Sequence, residues 1–246
     1  MRTYAIGDVH GQRALLAAAH ARVAADRARV GDDDAPLVHL GDLVDRGPDS
    51  AGVLSDLIAG IGRGEPWLCL LGNHDRLFRR FLDDPSREDM RLRRGLGWLH
   101  PNLGGTATLA SYGVAAAADR RVEDVHREAL ERVPEAHRAF LAALPLWEER
   151  GGTLFVHAGI LPDMPLHLQE EDDLVWIREP FLTATEPHPW LVVHGHTVVE
   201  EPTHFGNRVD LDSGAGHGGP LTAAVFEGRD AWVLTEGGRL PLRPAG

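Results

Sequence analysis

Short apolar runs recur along the chain, and several stop at a glycine followed by polar side chains. Thr3–Ile6 runs into Gly7-Asp8-Val9-His10-Gly11, and Leu37–Leu40 into Gly41-Asp42-Leu43-Val44-Asp45-Arg46-Gly47. Trp67–Leu71 runs into Gly72-Asn73-His74-Asp75. A β-rich apolar run that stops at glycine reads as a buried parallel strand, and chemistry in open α/β sheets collects beyond the carboxyl ends of such strands. The pattern returns where Gly152–Val156 meets His157-Ala158-Gly159 and where Leu191–Val193 meets His194-Gly195-His196-Thr197. Core packing does not require this repetition.

Between the first two strands, Gln12–Val30 carries alanine, leucine and arginine at helical spacing, so strand, polar loop and helix form half of a crossover unit. Gly31–Pro36, with three successive aspartates, is a solvated turn, and Pro48-Asp49-Ser50 starts a helix over Ala51–Ile61. From residue 76 to 150 the pattern changes. Arg91–Trp98, Val122–Val133 and Glu135–Leu144 read as helices around a Gly104-Gly105-Thr106 turn, which predicts a helical cap inserted into the domain. Leu221–Phe226 and Ala231–Thr235, turning near Gly228, predict a terminal hairpin.

A chain of 246 residues, 43% hydrophobic, can build one sizeable core, so residues 1–246 are expected to form a single compact domain. The formal net charge of −12 argues against a nucleic-acid polymer as partner. Bound divalent cations would still let a carboxylate-lined pocket attract phosphate. The chain has no lysine, which excludes a Walker A loop and Schiff-base chemistry. Cys69, the single cysteine, reads as a core thiol, and residue 75, where a cysteine phosphatase would need arginine, is Asp75. No apolar stretch spans a bilayer and the first strand starts almost at Met1, so the expectation is a cytoplasmic protein without a membrane partner.

In extended chain, residues two apart share a face, so Asp8 and His10 can reach one metal together. Asp42, at a strand tip between glycines that let a phosphate approach, is expected to bridge two metals. A donor set of aspartate, asparagine and histidine suits manganese first, with iron or zinc as alternatives. His100, His126 and His137 sit in an arginine-rich helical segment and read as surface or satisfied polar residues. Glu170–Asp173 reads as a solvated acidic run.

Taken together, the motifs resemble those of the calcineurin-like metallophosphoesterases, close to the phosphoprotein phosphatase family with its small bacterial and phage members. The resemblance covers residues 3 to about 80 and about 152 to 215, where Val209–Ala215 is similar to the family's closing strand and loop. It implies an α+β (mixed α/β) four-layer α-β-β-α sandwich with a dinuclear metal site. Asp8, His10 and Asp42 would hold one ion, and Asp42, Asn73, His157 and His196 the other. His196, after Gly195, matches the family ligand, which leaves His194 as a packed strand residue. A hydroxide bridging the metals would attack phosphorus. Arg46, Arg178 and Asn73 would bind phosphate, Arg178 by a looser match whose bland alternative is an ion pair with Glu179. His74 would protonate the leaving oxygen and Asp45 would orient His74.

The activity so implied is hydrolysis of phosphoserine- or phosphothreonine-type phosphomonoesters, on phosphorylated proteins, peptides or small phosphoesters. Asp45 favours it, because an oriented acid helps most with a poor leaving group. The alternatives are a symmetrical diadenosine tetraphosphate hydrolase, to which Asp75 points, and a non-catalytic binding module. Nothing in the sequence indicates an oligomer, and a monomer is the simplest expectation.

Overall fold

The computed structural model describes residues 1–244, from the first strand to the segment after the last. Its strands are β1 (Arg2–Ile6), β2 (Leu37–His39), β3 (Trp67–Cys69), β4 (Trp147–Arg150), β5 (Thr153–Val156), β6 (Leu191–His194), β7 (Thr203–His204), β8 (Arg208–Asp210), β9 (Ala223–Glu227), β10 (Asp230–Thr235) and β11 (Gly238–Leu242). They form two mixed sheets, ordered β11-β10-β9-β1-β2-β3 and β4-β5-β6-β8-β7. The α-helices are α1 (Arg13–Val30), α2 (Ser50–Gly62), α3 (Asn73–Asp83), α4 (Gly105–Ser111), α5 (Val122–Arg132), α6 (Glu135–Ala143) and α7 (Glu171–Trp176).

The sheets pack face to face, and alternation along the strands explains how. In β5 and β6, Phe155, Leu191 and Val193 join Ala5, Val38, Leu40, Leu70 and Phe226 in a core between the sheets. Their neighbours Leu154, Val156 and Val192 point the other way, onto Leu174, Ile177 and Phe181 at and beyond α7. A period of two therefore serves two cores at once. The opposite face of the first sheet, with Tyr4, Ile6 and Leu37, packs on Leu16 and Val23 of α1 and Leu54 and Leu57 of α2. The expected α-β-β-α layering is present, with unequal outer layers: one is a set of full helices, the other is α7 with short 3-10 turns.

The helix expected over Arg91–Trp98 is absent; that stretch is a series of turns, with Leu92 N donating to Asp89 O and Leu96 N to Arg93 O. Gly95, at φ 82°, and Gly97 make continued helix costly there. The expected Gly104-Gly105-Thr106 turn instead starts α4, and the boundary at residue 76 falls inside α3. Side chains from residues 76–150, among them Leu109, Val125 and Leu141, share one continuous apolar cluster with Leu54 and Val53 of α2. Ser55 Oγ, 3.2 Å from His137 Nε2, and Ser111 Oγ, accepting from Ala51 N, tie this segment to α2 by hydrogen bonds. The acidic run 170–173 is not simply solvated: Glu171 and Asp172 pair with the fully buried guanidinium of Arg76, which also meets Asp89.

The terminal hairpin extends to a third strand, β11, whose Pro241 is tolerated because β11 is a sheet edge. Arg239 of β11 reaches Asp26 of α1, which also accepts from Tyr4 Oη at 2.8 Å and from Arg29. Burial disfavours the ionised Asp26 carboxylate, but the hydrogen bonds from Arg239, Arg29 and Tyr4 outweigh it and lower the pKa to about 2. Because the folded value lies below the unfolded one, the stabilisation is full above the ordinary carboxylate range and is lost as pH falls toward about 2. Asp26→Asn is therefore expected to destabilise the protein at neutral pH by about 3 kcal/mol in urea unfolding. The variant should also show a flatter decline of Tm than the parent between roughly pH 4 and pH 2; identical declines would refute the assignment.

Candidate active site

Two sets of parallel strands, β1-β2-β3 and β5-β6-β8, aim their carboxyl ends at one place. Asp8 and His10 follow β1, Asp42 follows β2, Asn73 follows β3, His157 follows β5 and His196 follows β6. Among the described residues, five of the seven non-glycine residues with positive φ lie here: His10, Asp42, Asp45, Arg46 and His196. Such conformations cost energy at non-glycine residues and persist only where the surroundings fix them. The flanking glycines serve backbone contact rather than phosphate access. A Cβ on Gly72 would lie 2.1 Å from Asp42 N, and one on Gly47 2.1 Å from His10 O.

Asp42 faces two ways. Its Oδ1 lies 3.4 Å from His157 Nε2, its Oδ2 3.5 Å from His10 Nε2, and both imidazoles are buried. Asn73 Oδ1 is 2.9 Å from His157 Nε2 and 2.9 Å from His196 Nδ1. His157 Nδ1 lies 2.9 Å from Leu40 O and His10 Nδ1 3.0 Å from Val44 O, contacts that place the single proton of a neutral imidazole on Nδ1. Each Nε2 then offers a lone pair. Around Asp42 and Asn73, acceptor atoms converge on acceptor atoms, an arrangement that a cation relieves. Asp8 Oδ1 and His196 Nε2 are buried without hydrogen-bond partners, as metal-competent atoms would be. Among the described residues, His10, Asp42 and His74, and likewise Asp42, His157 and His196, bring ligand atoms within 4.8 Å of one another, close enough to hold an ion.

Electrostatics agree. Burial, then the charges of Asp212 and Asp42, push the Asp8 carboxyl well above its usual range. Burial likewise raises Asp42, but the surrounding histidines, His157 foremost, prevail and hold it well below that range. His10 and His196 are driven down by burial, toward the neutral form a ligand needs. Asp212 follows β8, the sixth converging strand, and its carboxyl is raised by burial and by Asp42. Sequence reasoning did not single it out: β8 reads Arg208-Val209-Asp210 and no glycine precedes Asp212, so the signal of the other strand ends is missing there.

His74 Nδ1 donates to Asp45 Oδ2 at 2.7 Å. Burial opposes the imidazolium, yet the charge of Asp42 and the hydrogen bond to Asp45 raise the His74 pKa. Arg46 Nη1 donates to His10 Nε2 at 2.5 Å, and its Nη2 lies 3.0 Å from His74 Nε2. Arg178 is exposed, makes no ion pair with Glu179, and lies near enough for its charge to depress His196. Asp75 is fully committed to the backbone, accepting from Leu43 N and Gly72 N. The other histidines have separate partners: His100 accepts from Asn102 N, His126 meets Leu82 O, His137 meets Tyr112 and His194 meets Arg208. Cys69 is buried beside His39, and burial pushes its thiol up.

The model of the family described as calcineurin-like phosphoesterase matches residues 1–221. The chain belongs to that family. It is 26% identical to the Anoxybacillus flavithermus protein named bis(5'-nucleosyl)-tetraphosphatase PrpE, asymmetrical, over 90% of this chain and 89% of that one. The Bacillus subtilis protein of the same name is 26% identical over 77% of this chain and 75% of its own. Among solved structures, one provisionally assigned as a diadenosine tetraphosphatase superposes with TM-score 0.65 at 22% identity, covering 99% of this chain and 95% of that one. A cold-active protein-tyrosine phosphatase from a Shewanella psychrophile gives 0.60 at 16%, covering 98% and 80%. At these identities the structures show the shared fold. As a calcineurin-like phosphoesterase, the chain is a phosphoester hydrolase. No helix among the described residues is long and apolar enough to cross a membrane.

Metal binding should register in stability. Adding manganese to chelator-stripped protein is expected to raise Tm, in step with about 2.7 kcal/mol at a concentration 100 times Kd. Asp42→Asn should lose most of that rise; an undiminished rise would remove Asp42 from the centre.

Proposed function

We propose that this phosphoesterase hydrolyses dinucleoside tetraphosphates, and that it cuts them asymmetrically. The observation that carries the substrate is the name of its relatives, bis(5'-nucleosyl)-tetraphosphatases aligned over about nine-tenths of both chains. The phosphoserine or phosphothreonine reading rested on Asp45. That carboxylate is occupied by His74, Trp98 and Thr108, so it reports on the acid and not on the substrate. The symmetrical alternative gives way because the relatives are named asymmetrical.

Asp8, His10 and Asp42 would hold one divalent ion and Asp42, Asn73, His157 and His196 the other, with manganese the first choice and iron or zinc next. Such ions supply charge neutralisation of the phosphates and a nucleophile available at neutral pH. The side chains do the remaining work. Arg46, which meets His10 Nε2, would turn its guanidinium fork to phosphate oxygens if His10 held an ion. Arg178, exposed at the margin, is placed to meet the polyphosphate farther out. His74 donates a proton from Nε2 to the leaving oxygen, and Asp45 holds its Nδ1. Residues 76–150 act as the cap that selects what enters.

Diadenosine tetraphosphate, supplied with manganese, should yield ATP and AMP in equal amounts by ion-exchange chromatography, at a kcat/KM well above that for a phosphothreonine peptide. ADP as the sole product would overturn the asymmetric reading, and faster peptide turnover would restore the phosphoprotein reading. The acid is tested separately with aryl phosphates. His74→Asn should slow phenyl phosphate about 10²-fold or more relative to p-nitrophenyl phosphate, whose leaving group departs without a proton. Equal slowing of both would remove His74 from that role.

A further inference from the structure

The Asp45–Arg46 pair lies in the left-handed region, φ 74° and 66°, where neither side chain is at ease. Beside Ser50 Oγ, which accepts from Asp45 N at 3.1 Å, what holds it there comes from one stretch, residues 98–108. Trp98 Nε1 donates to Asp45 Oδ2 at 2.8 Å. Thr108 Oγ1 donates to Asp45 Oδ1 at 2.7 Å and accepts from Asp45 N at 2.8 Å. With its only proton spent on Asp45, Thr108 takes the hydroxyl hydrogen of Ser50, 3.0 Å away. Arg46 N donates to Gly104 O at 3.3 Å. Trp98 and Thr108 are buried, so their hydrogen bonds are shielded from water.

Packing fixes the donors in turn. The Trp98 ring stacks on Phe78 at 5.1 Å and leans on Phe81 at 4.8 Å, both from α3, the helix that begins with Asn73 and His74. Gly105 leaves room for it, since a Cβ there would lie 2.4 Å from the indole. Asp45 Oδ2 is thus shared between the Trp98 indole and His74 Nδ1, while Oδ1 goes to Thr108. The carboxylate cannot rotate away from the histidine without losing a buried hydrogen bond.

We infer that Trp98 and Thr108 are positioning residues for the reaction: they lock the Asp45 carboxylate so that it holds His74 in the tautomer and orientation needed to protonate the leaving oxygen. This rests on the proposed role of His74 as acid. It also couples the inserted segment directly to proton transfer, so that the region over the active site sets the acid as well as the entrance. A Trp present only to fill the core would satisfy its N–H anywhere, and its loss would affect all substrates alike.

The test uses metal-loaded full-length protein and compares phenyl phosphate with p-nitrophenyl phosphate. Trp98→Phe keeps an aromatic ring on Phe78 and Phe81 and removes the donor. It is expected to lower kcat for phenyl phosphate about tenfold more than for p-nitrophenyl phosphate, the size of one lost hydrogen bond to a charged group. Thr108→Val should act in the same sense and Thr108→Ser should restore the parent ratio, which keeps the test open if Trp98→Phe folds poorly. In the His74→Asn background the Trp98→Phe effect on the ratio should vanish, because the residues act through one another. Equal losses on both substrates, a ratio unchanged in Trp98→Phe and Thr108→Val, or an effect that persists without His74 would each overturn the inference. If His74→Asn leaves the ratio unchanged, the acid assignment fails and the inference falls with it. If only His74→Asn changes it, the acid stands and the positioning role alone is refuted.

Discussion

Buried carboxylates that face one another are the constraint around which this molecule is arranged. Asp8, Asp42 and Asp212 come from three strand ends and raise one another's cost of ionisation. Four histidines surround Asp42 and one asparagine oxygen meets two of them. Such a cluster is expensive in a low-dielectric interior unless something cationic compensates it. Lysine, absent from the chain, cannot do so, and Arg46 reaches only the His10 and His74 side. The donor set therefore favours bound divalent ions on physical grounds that do not depend on the family.

The two-sheet architecture exists to bring those ends together. Parallel strands in each sheet point the same way, so their carboxyl-terminal loops fall on one edge of the sandwich, and the inter-sheet core of Phe155, Phe226, Val193 and Leu40 sets the distance between them. Glycines at 41, 47 and 72 remove the side chains that would hold these loops apart. The strain of five left-handed residues is carried by this dense backbone packing. Stability and site geometry are thus the same problem solved once.

The stretch between α3 and β4 is tied into this arrangement at two levels. It shares the apolar cluster of α2 and α3, and it hands polar atoms to Asp45 and Arg46. On the other side, the buried Arg76 guanidinium links α3 to Asp89 and to the acidic start of α7, two residues beyond which lies Arg178. A buried arginine with carboxylates around it is a costly way to hold two elements unless their relative placement matters. Arg178, two residues past α7, is exposed, and its charge depresses His196.

Asp8, His10, Asp42, Asn73, His157 and His196 were legible because each follows an apolar strand within a few residues, and a strand end fixes direction by local chemistry alone. The helices α1 and α2 were legible from periodicity, with Asp49 capping Gly52 N as its residue type suggests. What sequence spacing could not carry was contact between distant segments. Asp212 follows a strand charged at both ends, and only the pairing of β8 with β6 brings it to Asp8. The stretch from Arg91 to Trp98 has helical spacing, yet the turns there, and the Trp98 bond to Asp45, are decided by tertiary structure overriding local preference. The edge strands β4 and β7 are short and polar or two residues long, and pairing with β5 and β8, not their composition, makes them strands. Local sequence set which side chains could do the chemistry; the meeting of two sheets and the stretch between α3 and β4 decided which of them touch.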